Sequence, residues 1–208
     1  MVAYLRRQDD HVLSIYQQNI RGKQSETILS MIEQIDELPQ YDYLSIISRW
    51  QDTFPNAQLT IRPYGQLLNG DIIEDFSAFL NCPVNSDYQE PNYAIKNLSF
   101  DAPSIELIRL FNKLEADGQL ILPHLTKRHI RKTLKNRKRG QKFKLSPKDQ
   151  VRIWEAFKVN NLALCDKYEL RECKDYFSSP PIPNSEVFYN EDVQNDDLYH
   201  LFFKTFES

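Results

Sequence analysis

The sequence has little glycine and little cysteine, and each shortage excludes a common kind of site. Its five glycines form neither a G-x-x-x-x-G-K-[ST] loop nor a G-x-G-x-x-G turn, so both glycine-rich phosphate-binding motifs are missing. Its three cysteines include no C-x-x-C pair, which argues against a zinc site or a disulfide framework and fits a reduced, cytoplasmic setting. No run of eighteen apolar residues occurs, and no basic-then-apolar signal peptide opens the chain, so no transmembrane helix is expected.

The first twenty residues predict a strand, a tight turn and a helix. Residues 2–5 are apolar and rich in β-formers, which is typical of a buried strand. Apolar residues then recur at helical spacing, and Asp9 or Asp10 is a plausible N-cap for the helix. The residues in this helical pattern are Val12, Leu13, Tyr16 and Ile20.

This junction is also a candidate anion site. Ligands of open α/β sheets bind at the carboxyl ends of strands, and a helix N-terminus there offers free N–H groups to an anion. Arg6 stands where the strand ends, and Ser14 lies one helical turn after Asp10. We expect Arg6 and Ser14 to reach one phosphate, the arginine as a charged fork and the serine as a hydroxyl donor. The alternative is a solvated arginine and an exposed helical serine.

The order Tyr-Leu-Arg-Arg-Gln-Asp-Asp over residues 4–10, followed by Ser14-Ile15-Tyr16, resembles the 3′-phosphate motif of sulfotransferases. More narrowly, it resembles a bacterial sulfotransferase-like family associated with surface polysaccharides. The resemblance implies 3′-phosphoadenosine 5′-phosphosulfate (PAPS) as the sulfonate donor, a carbohydrate hydroxyl as the acceptor, and Arg6 and Ser14 as cofactor-binding residues. In such enzymes the phosphosulfate-binding loop and the catalytic base lie on an earlier strand, and neither is found in this sequence.

We therefore expect the C-terminal portion of an incomplete P-loop-type, sulfotransferase-like fold, with little or no activity for the chain alone. The catalytic residue is unknown. His11 is the only histidine near the motif, and we interpret it as a solvated residue at the helix start.

Further elements follow in the middle of the chain. We predict helices over Thr27–Leu38 and Tyr43–Thr53, with Trp50 as a core anchor, and a second strand over Gln58–Tyr64 that pairs in parallel with the first. A helix then runs to about Leu80, and its Gly-Asp-Ile-Ile-Glu-Asp-Phe start again resembles the bacterial family. Asp71 and Asp75 are interpreted as helix-start acids. Two alternatives stay open for Arg62: it faces the same cleft as Arg6, or it pairs with one of these two carboxylates.

The later part of the chain combines clear helix signals with segregated charge. Pro103–Ala116 predicts a helix with Gly118 as its C′ residue, and Ser146 before Pro147 predicts the N-cap of another. Between them, residues 127–144 hold ten Lys and Arg and no Asp or Glu, which leaves a balance of −13 elsewhere. Such segregation implies an anionic partner.

Three interpretations of this basic run stay open: nucleic acid bound through phosphates, a donor nucleotide or anionic glycan, and a solvated loop. Arg137-Lys138-Arg139-Gly140 loosely resembles the late Arg-Lys-Gly loop of cytosolic sulfotransferases, which implies Arg139 and Gly140 as further cofactor contacts.

Taken together, the patterns predict an α/β fold that is helix-rich with a small parallel sheet. The expected divisions are a sulfotransferase-like domain over 1–177, a Pro/Ser linker over 178–185 and an acidic aromatic tail over 186–208. The apolar residues of the tail predict one helical face, made of Leu198, Leu201, Phe202 and Phe206. Two functions remain in competition: sulfonate transfer from PAPS to a carbohydrate, and non-catalytic binding of an anionic polymer, nucleic acid or glycan, through residues 127–144.

Overall fold

The computed structural model describes residues 1–82, 100–136, 142–182 and Phe202. Within these ranges the chain is helix-rich and has a small parallel sheet, as the sequence predicted at the level of the α/β class. The regular elements are β1 (Val2–Leu5), α1 (Gln8–Arg21), α2 (Ile28–Glu33), α3 (Tyr43–Thr53), β2 (Thr60–Pro63), α4 (Ile72–Phe79), α5 (Ala102–Ala116), α6 (His124–Asn136), α7 (Pro147–Lys167) and α8 (Arg171–Ser178). Short 3-10 turns occur at Ile35–Glu37, Pro39–Tyr41, Tyr64–Gln66 and Leu68–Gly70.

The two strands pair in parallel, which confirms the predicted orientation. The register runs from Val2 opposite Thr60 to Leu5 opposite Pro63. Strand β2 is shorter than the predicted span of 58–64, because β1 offers only four residues to pair with it. The carboxyl ends of both strands therefore lie at the same edge of the sheet.

The chain divides into two compact units, each assembled from separate stretches of sequence. The first unit comprises residues 1–11, 35–96 and 151–181, and the second comprises residues 12–34, 97–150 and 182–208. The predicted linker and tail fall largely outside the described residues. Phe202 is helical, and its ring centroid lies 6.0 Å from that of Phe111 in the same unit.

The first unit has a core built around the sheet. Apolar side chains of β1, α3 and β2 pack with those of α7 and α8, and the cluster includes two neighbouring buried thiols. The members of this core are Leu5, Tyr43, Ile47, Ile61, Leu164, Cys165, Cys173 and Phe177. Beside it, the buried amides of Gln8 and Asn161 form two reciprocal hydrogen bonds of 2.9 Å each. This pairing satisfies polar groups that burial alone would penalise.

The second unit buries the apolar faces of several helices. The contributing residues are Val12, Tyr16, Ile20, Ile28, Ile32, Ile105, Ile108, Phe111, Ile130 and Leu134. The C-terminal carbonyls of α1 are satisfied by side chains: Asn112 donates to Ile20 O at 2.7 Å, and Arg131 donates to Arg21 O at 2.7 Å. These bonds fill acceptor positions that a helix end leaves open.

Two of the predicted helix boundaries are wrong. Helix α1 begins at Gln8, so Asp9 and Asp10 lie in its first turn and do not cap it. The carbonyl of Arg7 accepts from His11 N, and the Arg7 side chain holds the Asp9 carboxylate, which is thereby taken from a capping role. Helix α2 ends at Glu33, short of the predicted Leu38, and the chain continues through the 3-10 turn Ile35–Glu37. Leu38 precedes Pro39 and is extended, so no helix could have included it.

Other boundaries follow their local signals. Helix α3 spans the predicted range, and Gly118 follows the C-cap of α5 with φ +69°, as the C′ assignment requires. Ser146 caps α7: its Oγ accepts from Asp149 N at 3.0 Å and donates to Asp149 Oδ2 at 2.6 Å.

The prediction that Trp50 anchors the core is wrong. Its side chain is 53% exposed and stacks on Phe54, which is 49% exposed, with ring centroids 5.9 Å apart. Tyr43 and Ile47 fill the inner face of α3, and Trp50 lies one turn later, beyond the members of the core.

Candidate functional site

The candidate site lies at the carboxyl edge of the sheet, where a cation and an aromatic ring meet. Leu5 and Pro63 are partners in the sheet, so the residues that follow them, Arg6 and Tyr64, are brought together. The Arg6 guanidinium carbon lies 5.4 Å from the centroid of the Tyr64 ring, within the range of a cation–π contact. Its Nε is 4.0 Å from Asp10 Oδ2, and its side chain is 41% exposed. The guanidinium of Arg6 therefore contacts Tyr64 and Asp10 but stays accessible to a ligand.

Arg7, the next residue, has a different environment. Its side chain is only 16% exposed, and it bonds to Asp9 Oδ1, to Tyr176 O and to Ser179 O at 3.2, 3.3 and 2.8 Å. The pKa of Asp9 is nevertheless raised, because burial of the carboxylate outweighs its attraction to Arg7. Arg7 joins the strand–helix junction to α8 and its end, which is a structural role.

His11 is held by Tyr43 in a short chain of hydrogen bonds that ends on Arg6. The Tyr43 hydroxyl donates to Arg6 O at 2.8 Å and lies 3.0 Å from His11 Nδ1. The imidazole also contacts the Tyr41 ring edge-on, with centroids 5.2 Å apart. Burial, followed by the charge of Arg6, lowers the pKa of His11. The interpretation of His11 as a solvated residue is therefore wrong.

Ser14 is half-buried in the middle of α1 and belongs to the second unit, whereas Arg6 belongs to the first. Their sharing of one phosphate stays a prediction. Arg139 and Gly140, the other proposed cofactor contacts, lie outside the described residues.

The described part of the basic run divides into cations used within the second unit and cations left exposed. Lys127 pairs with Glu115 at 2.6 Å, and Arg131 bonds to the end of α1. Arg128 and Lys132, on the same helix, are exposed.

Arg62 and Asp75 form a second charged group near the sheet, and this settles an alternative that the sequence left open. Asp75 is 1% exposed and receives two contacts of 2.8 Å from Arg62. The Tyr4 hydroxyl donates to the same carboxylate at 2.8 Å. Asp71 caps α4 and Asp75 lies in its first turn, as expected of helix-start acids. The carboxylate of Asp75 is also buried against Tyr4 of β1 and Arg62 of β2, which the helix-start interpretation did not anticipate.

Sequence reasoning missed Tyr64 and Tyr43. Tyr64 had a usable signal, since it follows the end of β2 as Arg6 follows the end of β1. Tyr43 had none, because its hydroxyl meets Arg6 across 37 positions of the chain.

Two further searches of the described residues gave negative findings. Residues 1–82, 100–136 and 142–182 contain no cluster of three or more His, Cys, Asp or Glu able to hold a metal ion. Among the helices of this same part of the chain, none has the length and apolarity needed to cross a membrane.

Comparison with known proteins gives one similarity over most of the chain. No protein-family model matches, and no solved structure matches. Over 180 residues the chain is 27% identical to an uncharacterized protein of Archaeoglobus fulgidus, an alignment that covers 86% of this chain. The alignment covers 39% of that protein, so the chain spans well under half the length of this relative.

Proposed function

We propose that this chain is the nucleotide-binding portion of a sulfotransferase-like protein, which transfers a sulfonate group from PAPS to a carbohydrate hydroxyl. The two parallel strands and their carboxyl-edge site would belong to a P-loop-like sheet, and the protein would act in the cytoplasm. The observation that carries the proposal is the position of Arg6: an accessible guanidinium between the end of β1 and the start of α1, beside the Tyr64 ring.

The 3′-phosphate of the nucleotide is the group that this position suits. A guanidinium offers paired N–H donors to phosphate oxygens, and the first turn of α1 adds backbone N–H groups. The contact of Arg6 with Asp10 is at the outer limit for an ion pair, so a phosphate dianion competes with a weak interaction.

The chain alone is expected to have little or no transferase activity. Sulfonate transfer needs a base for the acceptor hydroxyl and donors that stabilise charge on the leaving phosphate. The sequence has no glycine-rich phosphosulfate loop, and the proposal assigns no residue as the catalytic base.

Calorimetry with two nucleotides tests the proposal. Adenosine 3′,5′-bisphosphate and adenosine 5′-monophosphate differ only in the phosphate that Arg6 would hold, so the wild type should prefer the bisphosphate. Because a hydrogen bond to a charged group contributes about 1.5–3 kcal/mol, Arg6→Ala should weaken bisphosphate binding by roughly ten- to hundredfold and abolish most of the preference.

Arg49→Ala is the matched control, because Arg49 is an exposed arginine in the same unit. It should leave both affinities unchanged. Equal affinity of the wild type for the two nucleotides, or an Arg6→Ala variant that keeps the preference while folded, would refute the proposed site.

The second candidate function is non-catalytic binding of an anionic polymer, and the exposed cations Arg128 and Lys132 on α6 favour it. Such binding falls steeply with salt and is indifferent to a 3′-phosphate. The test is a double variant, Arg128→Gln together with Lys132→Gln. If it weakens binding to a sulfated glycan, while Arg6→Ala changes binding of neither the glycan nor adenosine 3′,5′-bisphosphate, this second function replaces the first.

A further inference from the structure

The hydroxyl of Tyr43 determines which nitrogen of His11 carries a proton. A tyrosine hydroxyl has one hydrogen to donate, and the carbonyl of Arg6 can only accept. The 2.8 Å bond between them therefore uses the hydrogen of Tyr43. At 3.0 Å from the same oxygen, Nδ1 of His11 must be the donor. In the neutral ring, the lone pair is then on Nε2.

Among the groups around the His11 imidazole, Arg6 is the charged residue with the largest effect on it. Tyr41 and Tyr43 face the ring from the residues just before and at the start of α3, and burial raises the pKa of each, to about 12 for Tyr41, so both are neutral. The charged residues next to His11 in the chain are Asp10, which precedes it in α1, and Arg6, just before the helix; Arg6 Nε lies 4.0 Å from Asp10 Oδ2. After burial, the charge of Arg6 is the second cause that lowers the pKa of His11.

An anion on Arg6 reverses this influence. A phosphate dianion cancels the guanidinium charge and adds negative charge, so the pKa of His11 should rise when the anion binds. By linkage, a proton on His11 strengthens anion binding by the same factor.

We propose that His11 is a positioning residue of the Arg6 site: it holds the Tyr43 hydroxyl, which in turn holds the Arg6 carbonyl. When a phosphate monoester binds at Arg6, His11 takes up a proton at Nε2. This inference rests on the proposed function, because it needs an anion at Arg6. It adds to that function a second residue, His11, whose protonation is coupled to binding. The coupling has a sign: protonation of His11 increases the affinity for the phosphate monoester, so this contribution grows as the pH falls.

The first test needs no ligand. Nitrogen-15 NMR of the histidine rings reports which nitrogen is protonated, and the His11 signals are assigned by their loss in His11→Gln. The expected result is the Nδ1–H form of the neutral ring. An Nε2–H form would overturn the positioning role, whatever the chain binds.

The second test measures protons during binding. Titration calorimetry with adenosine 3′,5′-bisphosphate, in two buffers that differ in ionisation enthalpy, gives the number of protons taken up. Compared with a His11→Gln variant, the wild type should take up more protons near neutral pH, and its affinity at pH 6 relative to pH 7.5 should be severalfold higher than the same ratio for the variant. A phosphate monoester itself titrates near pH 6, so His11→Gln, whose amide can donate to Tyr43 but cannot titrate there, provides the reference.

The variants separate positioning from proton uptake. His11→Gln should bind within a few-fold of the wild type with less proton uptake, whereas His11→Ala should bind more weakly because Tyr43 loses its partner. His129→Gln, an exposed histidine on α6, is the control and should match the wild type. Binding with equal proton uptake in wild type and His11→Gln overturns this inference alone; no preference for the bisphosphate in the wild type overturns the proposed site and this inference together.

Discussion

Arg6 and Arg7 are neighbours in the chain, yet one is available for a ligand and the other is used by the fold. Arg6 is 41% exposed beside Tyr64, while Arg7 is 16% exposed and bonds to two carbonyls at α8 and its end. The sequence placed both after a strand, and the resemblance selected Arg6. Which arginine faces solvent depends on Tyr176 and Ser179, about 170 positions away, so no local pattern predicts it.

The buried carboxylate of Asp75 leads to a prediction about stability. Removing one partner of a buried ion pair costs about 3–5 kcal/mol, and Arg62 is partly exposed, so Arg62→Ala should lower the free energy of unfolding by about 3 kcal/mol. Tyr4→Phe removes one hydrogen bond to the same charged group and should cost about 1.5–3 kcal/mol. Urea denaturation followed by circular dichroism measures both.

The control for this pair is Glu74→Gln on the same helix. Glu74 accepts an exposed hydrogen bond from Asn69 that a glutamine oxygen can also accept, so this change should alter stability by less than about 0.5 kcal/mol. If Arg62→Ala unfolds at the same urea concentration as the wild type, the carboxylate of Asp75 is not held as the distances indicate.

At the scale of elements, local signals predicted the helices whose ends depend on local chemistry. Ser146, Pro147 and Asp149 specify the start of α7 within four residues, and Gly118 marks the end of α5 by its positive φ. Prediction failed where burial in the fold determined the outcome. The apolar spacing of Trp50 fits the inner face of α3, but the core ends before it.

Helix α7 provides the prediction that belongs to this scale. Replacing an N-cap serine by alanine costs about 0.5–2 kcal/mol, so Ser146→Ala should lower the free energy of unfolding by about 1 kcal/mol. Ser146→Thr keeps a hydroxyl at the cap and should lose much less. The same urea titration compares them, and equal stability of the alanine and threonine variants would show that the 3.0 Å bond to Asp149 N contributes little.

At the scale of the whole molecule, the order of the chain does not match the order of its compact units. The sequence was divided into consecutive segments, but each unit is assembled from stretches far apart in sequence, and α1 and α7 each contribute residues to both. Periodicity identifies helices without revealing which of them share a core. The described cations of the basic run belong to the second unit and Arg6 to the first, so the two candidate functions draw on different units.

The distribution of the three cysteines gives the protein a natural site for chemical labelling. Cys82 is exposed, three residues after α4, whereas Cys165 and Cys173 are buried in the core of the first unit. Burial keeps a dye away from both of these thiols. In addition, the hydrogen bond to Cys165, reinforced by burial, raises the pKa of the Cys173 thiol, and a protonated thiol is a poor nucleophile. A thiol-reactive dye should therefore attach once per folded chain and three times in denaturant, as intact-mass spectrometry would count. Rapid attachment of three dyes to the folded protein would contradict the burial of Cys165 and Cys173. Attachment of one dye, at Cys82, gives the protein a fluorescent reporter without any substitution.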